Sequence, residues 1–332
     1  MNTIPEYAPV VIPTLCRFVH FKRCVESLSR CTGAEKTELY IGLDYPSKDS
    51  HWDGYNRICD YLPKISGFKK ITVIKRDTNY GAIRNAKELI LHVKHDYETY
   101  IFSEDDNEFS PNFLEYINKG LVKYKDNPDV IAICGYVEPK CRYDALRTYP
   151  YNAYPIIGYN AWGVGVWFNK KPKEEDPDEI LESPKRVATV LKHGHGLALH
   201  RLFSRKRTNA VGDLMWRIHC ATHKKYCIFP KTSKVRNWGF DESASNCSSL
   251  LSYYKEIEID SDKNFEYDDF EIKDYPSVIK IQKNIYGLSF FTFCLFLCEY
   301  FLYRVSGGLC FVDFSLFRLM MKLKLRIKLL LR

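Results

Sequence analysis

The sequence predicts an α/β protein built on a mostly parallel, doubly wound sheet. Three observations predict it. Short apolar runs recur along the first 134 residues, segments with helical apolar spacing separate them, and several of the runs end on polar or acidic loops.

The first run, Pro9-Val10-Val11-Ile12-Pro13, reads as a strand, followed by the loop Thr14-Leu15-Cys16-Arg17. Phe21, Cys24, Val25 and Leu28 then share one face of a helix. Residues 39–43 form a second buried strand that ends on Asp44, 53–62 a helix, and 70–74 a third strand. The loop from Arg76 through Asn79 to Gly81 leads into a helix over 82–94. A strand then runs straight into Glu104-Asp105-Asp106. The stretch from Asn107 to Leu114 reads as the next helix start, with Ser110 as N-cap and Pro111 at the first helical position. That helix covers 112–124, residues 130–134 supply one more strand, and the alternation stops.

Residues 135–170 are rich in Tyr, Pro, Gly and Trp, centred on 159–167. They fit an apolar platform for a sugar ring or a β-hairpin packed on the sheet, and composition favours the hairpin because aromatics are usually core. Residues 171–190 are highly charged, as in a surface helix or linker. His193-Gly194-His195-Gly196 reads as a flexible loop with exposed histidines rather than a phosphate or metal loop. Asp213 sits in the first turn of a helix, where an acid commonly meets the helix dipole. Residues 227–230 form a short strand, and 236–243 a polar loop.

Bulk properties narrow the function. The formal charge is +8, but Arg318, Lys322, Lys324, Arg326, Lys328 and Arg332 supply six of those charges, with no acid after Asp313. The body of the chain is thus near +2, which argues against a nucleic-acid partner. Twelve cysteines in a long chain that opens without a basic-apolar leader point to reduced, cytosolic thiols. No Cys-x-x-Cys pair suggests structural zinc, and the pair His219/His223 has no third ligand beside it.

The acidic triplet is the centre of the functional reading. In open α/β sheets ligands bind outside the carboxyl ends of the strands. Carboxylates crowded there raise one another's pKa unless a cation compensates them. Mg²⁺ or Mn²⁺ with substrate phosphates is the usual partner of such a group, and a solvated acidic turn is the plainer alternative.

From Ile285 to Tyr303 the chain is apolar apart from Glu299, and Ser306-Gly307-Gly308 then breaks it. Leu319, Met320, Leu323, Ile327, Leu330 and Leu331 share one arc of a helix whose opposite side carries every tail Lys and Arg. Such a basic amphipathic helix suits an anionic membrane surface. Basic residues on both flanks favour a monotopic arrangement over a single span, which remains the alternative.

Taken together, residues 8–250 resemble the GT-A glycosyltransferases, in particular metal-dependent inverting enzymes of the N-acetylglucosaminyltransferase type and bacterial capsule and lipopolysaccharide transferases. The segment Ser103-Glu104-Asp105-Asp106, followed by Phe109-Ser110-Pro111-Asn112-Phe113, is similar to the family's acidic motif and its helix start. Pro13, Thr14 and Arg17 resemble the first nucleotide-binding loop, Asp44 stands where the family's uracil-binding acid lies, and Asn79, Gly81 and Arg84 match a loop and helix near the nucleotide. Trp162, Gly163 and Trp167 resemble a segment lining the donor-acceptor cleft, and Trp238 and Asp241 fall in an Asn-x-Gly-Phe-Asp loop of the same cleft. Gly212 replaces an aromatic residue, and Asn246 stands where bacterial relatives often carry histidine.

The resemblance implies a GT-A domain over 1–270, with a nucleotide-binding half at about 8–134 and an acceptor-side half at about 135–250. Residues 271–332 would be a membrane-associating appendage, placing the protein on the cytoplasmic face of a membrane. It implies sugar transfer from a nucleotide-sugar donor, UDP-linked, to a hydroxyl of a glycan or lipid-linked acceptor. Asp106 and Asp105 would hold Mn²⁺ or Mg²⁺, and Glu104 and Asp105 would orient the ribose and metal-bound water. Asp213 would be the general base, with Glu242 as runner-up. A sugar nucleotidyltransferase would want a glycine-rich loop after the first strand, and 13–17 has no glycine. A non-catalytic membrane-bound scaffold would lack the carboxylates, and a metal-dependent nuclease would need a more basic body.

Overall fold

The computed structural model describes residues 7–137, 146, 148–173, 177–203, 212–241, 257–270, 272, 276–287 and 289–306. The chain divides into two compact units. One comprises Met1–Ile156, Asn160–Lys171 and Tyr226–Asp274, the other Ile157–Tyr159, Pro172–Lys225 and Tyr275–Arg332.

The first unit holds the sheet. Its strands are β1 (Val10–Thr14), β2 (Glu38–Leu43), β3 (Lys70–Lys75), β4 (Thr99–Phe102), β6 (Val130–Cys134), β7 (Ala153–Ile156), β8 (Val164–Trp167) and β9 (Tyr226–Pro230). A separate two-stranded sheet pairs β5 (Asn107–Phe109) antiparallel with β10 (Val235–Asn237). The order in the main sheet is β3-β2-β1-β4-β8-β6-β9-β7. β1 to β4 run parallel, as do β6 and β9, while β8 and β7 are antiparallel to their neighbours. β1, β2 and β6 are buried almost throughout, which is why they read as unbroken apolar runs.

Helices α1 (Phe18–Ser29), α2 (Trp52–Tyr61), α3 (Gly81–Lys94) and α4 (Phe113–Lys123) connect these strands. Phe21, Cys24, Val25 and Leu28 of α1 are buried, as their spacing predicts. Asn85 of α3 is also buried, donating to Gly42 O at 2.8 Å and accepting from Arg76 Nε at 3.0 Å.

Two expectations are corrected. Residues 107–109 are a strand, not a helix start; α4 begins at Phe113, with Asn112 in the cap position and the Ser110 hydroxyl donating to Asn112 Oδ1. What decides this is the ladder to β10, whose partners lie far along the chain. Nor is 153–167 a hairpin. β7 and β8 never pair with each other, because β8 fills the gap between β4 and β6 while β7 lies at the edge beside β9.

A strap over 257–270 packs on α4. Tyr267 stacks on Tyr116 with ring centroids 5.4 Å apart, and Phe265 meets the same ring edge-on at 4.9 Å. Lys234, fully buried, pairs with Asp260 of the strap and lies 4.5 Å from the Phe265 ring. A buried cation without such a partner would be very costly.

The second unit is helical among its described residues: α5 (Pro177–Glu182), α6 (Pro184–Lys192), α7 (Gly196–Phe203), α8 (Gly212–His223), α9 (Pro276–Tyr286) and α10 (Phe290–Val305). Ser183 caps α6 by accepting from Arg186 N. His195 is not exposed but buried, with Nε2 2.7 Å from Ile157 O; burial, aided by the Arg217 cation, pushes its pKa down to about 3. The apolar stretch expected over 285–303 is divided between α9 and α10. No helix among the described residues is long and apolar enough to cross a membrane. The basic tail lies outside the described residues.

β8 sets a packing test. A Cβ on Gly165 would stand 2.4 Å from Ile117 Cγ2 of α4. Gly165→Val should therefore cost about 1–3 kcal/mol by overpacking. Urea unfolding followed by far-UV circular dichroism measures this, and unchanged stability would remove the close α4–β8 contact.

Candidate active site

The site grows from the carboxyl ends of β1, β2 and β4. Asp105 and Asp106 follow β4, and the chain turns at once into β5. Thr14, last residue of β1, donates its hydroxyl to Asp105 Oδ2 at 2.8 Å. Arg17, immediately before α1, places Nη1 2.8 Å from Asp106 Oδ2 and 3.8 Å from Asp105 Oδ1. One guanidinium thus serves two adjacent carboxylates.

β10 closes the other side. Asn237 Nδ2 donates to Asp106 Oδ1 at 2.7 Å and to Asn107 Oδ1 at 3.1 Å, and Trp238 N donates to Asp106 O at 2.9 Å. Gly239 N donates back to Asn237 Oδ1 at 2.8 Å. A Cβ at Gly239 would stand 2.1 Å from Asp106 Oδ2, so only glycine allows this approach. Asp106 is consequently 7% exposed, with both carboxylate oxygens engaged.

The electrostatics follow from this enclosure. Burial, reinforced by the Asp106 charge, pushes the Asp105 carboxyl up to about 6, against the pull of Arg17 and Thr14. Burial alone would lower the Arg17 pKa, but Asp105 and Asp106 together hold it above its ordinary value. Arg17 Nε and Nη2 are buried and have no hydrogen-bond partner among the described residues. Two adjacent carboxylates are hard oxygen donors of the kind a divalent cation takes, although no cluster of three His, Cys, Asp or Glu side chains with metal-holding geometry occurs among the described residues. A carboxyl that takes up a proton for want of positive charge sits beside a second carboxylate, and carboxylate oxygens accept more than one bond. Asp105 and Asp106 are the residues that would hold it.

Other expected residues gather nearby or turn out to serve the scaffold. Asp44 is buried; Oδ1 accepts Tyr45 N at 2.9 Å and Tyr80 N at 2.8 Å, and Oδ2 accepts Asn79 Nδ2 at 3.4 Å. It staples the loop after β2 to the loop before α3. Gly81 opens α3 at φ +72°, with open space where a Cβ would be. The Arg84 guanidinium lies 3.8 Å from the Tyr80 ring centroid. Glu104 is half-buried, and its carbonyl accepts the Ser103 hydroxyl at 2.8 Å. Pro13 is the fourth residue of β1, opposite Gly42 of β2.

On the aromatic side, Trp162 meets Tyr136 edge-on at 4.5 Å and Phe240 at 5.6 Å. Gly163, at φ +67°, accepts the Gly135 N–H at its carbonyl oxygen at 2.7 Å. Trp167 is a correction. It is buried in β8 opposite Thr99, under the Lys170 ammonium at 4.0 Å, so it belongs to the sheet core rather than to a cleft wall. Trp238 is clamped, with Arg23 at 4.3 Å from its ring and Nε1 donating to Glu108 Oε2 at 2.8 Å.

His20 and Asn237 were missed as site residues. His20 Nε2 lies 2.8 Å from Asp241 Oδ2; burial, then the Arg17 charge, lowers its pKa against the pull of Asp241. The signal for His20 was its place one turn beyond Arg17 on α1. Asp213 is half-buried in the first turn of α8, in the second unit. Glu242 and Asn246 lie outside the described residues.

Asp105 yields a pH test. Its folded pKa of about 6 exceeds the ordinary 3.8, so the unfolded chain holds fewer protons and stability falls as pH rises from about 4 through 6. Asp105→Asn should therefore stabilise the metal-free protein at pH 7 by about 1–3 kcal/mol, with the gain vanishing below pH 4. Chemical denaturation at pH 4 and pH 7 measures it, and a destabilised variant at pH 7 would contradict the electrostatic reading.

Residues 10–172 match the family described as glycosyl transferase family 2. No curated protein matches the sequence. Among solved structures, S. aureus TarS is 16% identical with a TM-score of 0.28, aligning 36% of this chain with 20% of its own. The mannosyltransferase PcManGT from Pyrobaculum calidifontis, in complex with GDP-Man and Mn²⁺, is 15% identical with a TM-score of 0.33, aligning 50% of this chain with 46% of its own. The aligned part thus spans less than half the length of either structure. The family match over this sheet, with the carboxylates at its strand ends, identifies a glycosyltransferase domain of GT-A fold whose residues 10–172 are similar to family 2.

Proposed function

We propose that the protein transfers a sugar from a nucleotide-sugar donor, UDP-linked, to a hydroxyl of a glycan or lipid-linked acceptor, with inversion at the anomeric carbon. The observation that carries this reading is Arg17, whose buried Nε and Nη2 have no partner among the described residues, beside the Asp105–Asp106 pair. Unmatched buried donors cost about 1–3 kcal/mol each. Oxygens of a diphosphate would satisfy them and are the natural ligand of a guanidinium. The donor and acceptor follow the resemblance of the nucleotide loops. A cytoplasmic membrane location rests on the cationic sequence from Arg318 to Arg332.

Mn²⁺ or Mg²⁺ held by Asp105 and Asp106 would neutralise charge on the leaving diphosphate. The chain's own residues divide the remaining tasks. Thr14 and Asn237 hold the two carboxylates in place, and Arg17 offers its free donors to the phosphate oxygens. Asp44 and Asn79 fix the loops that flank the nucleotide. By the resemblance alone, Asp213 would take the proton of the acceptor hydroxyl as the hydroxyl oxygen bonds to the anomeric carbon. The bond from that carbon to the diphosphate breaks, and its electron pair leaves with the diphosphate.

A thermal-shift panel of nucleotide sugars, run with and without Mn²⁺, tests the donor reading. A UDP-sugar should raise the melting temperature more with Mn²⁺ than without, and no metal-dependent shift from any donor would overturn it. Asp213→Asn should lower turnover on the order of 10²–10⁴-fold while donor binding survives. Wild-type turnover in that variant would transfer the base role to another residue, with Glu242 first.

A further inference from the structure

Both faces of α10 are apolar. Thr292, Phe296 and Tyr300, four residues apart, form its buried stripe, and the Tyr300 hydroxyl donates to Leu181 O at 2.8 Å. The opposite side carries Phe290, Phe291, Leu297, Phe301, Leu302 and Val305. Phe290 is 84% exposed, Phe301 65% and Val305 69%. At 100° per residue the six fall within an arc of about 140°. Soluble surfaces rarely leave so continuous an apolar row bare.

We propose that this face of α10 lies in the plane of an anionic lipid membrane, buried in its interfacial layer. Length argues against crossing. At 1.5 Å per residue the 16 residues of α10 span about 24 Å, short of the roughly 30 Å hydrocarbon core. Charge argues for anionic lipid. Lys280 and Lys283 are exposed on α9, Arg304 is exposed beside the apolar row, and the sequence after residue 306 carries six cations with no acid after Asp313. An apolar row flanked by cations is what headgroup attraction and acyl-chain burial both require. A second copy of α10 would bring like charges together, whereas anionic headgroups neutralise them. The inference deepens the membrane location proposed above and is independent of the transfer chemistry, so vesicle binding and donor-dependent turnover fail or succeed separately.

The test uses the full chain, sedimented with phosphatidylcholine vesicles with and without phosphatidylglycerol. A second arm follows Cys298, exposed on the same face of α10, by labelling with a charged maleimide and mapping the modified peptide by mass spectrometry. The protein should bind the anionic vesicles, which should slow Cys298 labelling. The double variant Phe291→Ser/Phe301→Ser should partition at least about tenfold more weakly with an unchanged far-UV spectrum. Should the variant unfold, the labelling of the wild-type chain decides. Equal partitioning of variant and wild type overturns the proposal, as does Cys298 labelling indifferent to vesicles. A wild-type dimer that ignores vesicles and dissociates in the double variant would also overturn it, assigning the face to a second copy.

Discussion

Two carboxylates placed side by side at the end of a strand repel each other, and much of the first unit is arranged to hold them there. Asp105 and Asp106 share the Arg17 guanidinium, yet burial, with the Asp106 charge beside it, still pushes the Asp105 carboxyl up to about 6. The remaining deficit of positive charge is what the divalent cation proposed above would supply. The fold sustains this tension through neutral clamps. Thr14 reaches across from β1, Asn237 reaches in from β10, and the bare backbone at Gly239 lets the clamp close.

The small β5–β10 sheet therefore has more to do than its three-residue strands suggest. It fixes the backbone immediately after Asp106, where Asn107 opens β5 opposite Asn237, the last residue of β10. Lys234 and Asp260 secure the same strand from behind, through the strap that packs on Tyr116. The clamp on Asp106 is thus anchored in the core beneath α4.

Much of this was legible in the sequence, in a pattern that has physical causes. The parallel strands β1 and β2 were readable because burial on both faces leaves unbroken apolar runs, and α1 announced its buried face through Phe21, Cys24, Val25 and Leu28. β5 was not readable. Three residues hold no periodicity, and the partner that defines it lies over a hundred residues downstream. β8 misled for a related reason, since two neighbouring apolar segments suggest a hairpin and only long-range pairing shows that β6 and β9 stand between them. At the site, the acidic cluster was visible, but its union with Thr14 and Arg17 came through resemblance to a family. Trp167 illustrates the limit, because an aromatic side chain looks the same in a sheet core as on a binding wall. Asp44 illustrates another, since its bonds to Tyr45 N and Tyr80 N leave no trace in residue identity.

The position of β8 also bears on how the chain comes off the ribosome. β1, β2, β3 and β4 can assemble as soon as residue 102 is made, but the outer edge of β4 keeps its unpaired amides and carbonyls until Val164–Trp167 has emerged. β6 waits for the same segment on one side and for β9 on the other. Open strand edges recruit foreign strands. The nascent chain must therefore carry β1 to β4 as an unfinished sheet through about sixty residues of synthesis, at ≈ 5–20 residues per second. A pause or truncation between β6 and β8 would leave that half-sheet exposed, with its acidic turn in place and nothing to seal the edge beside it.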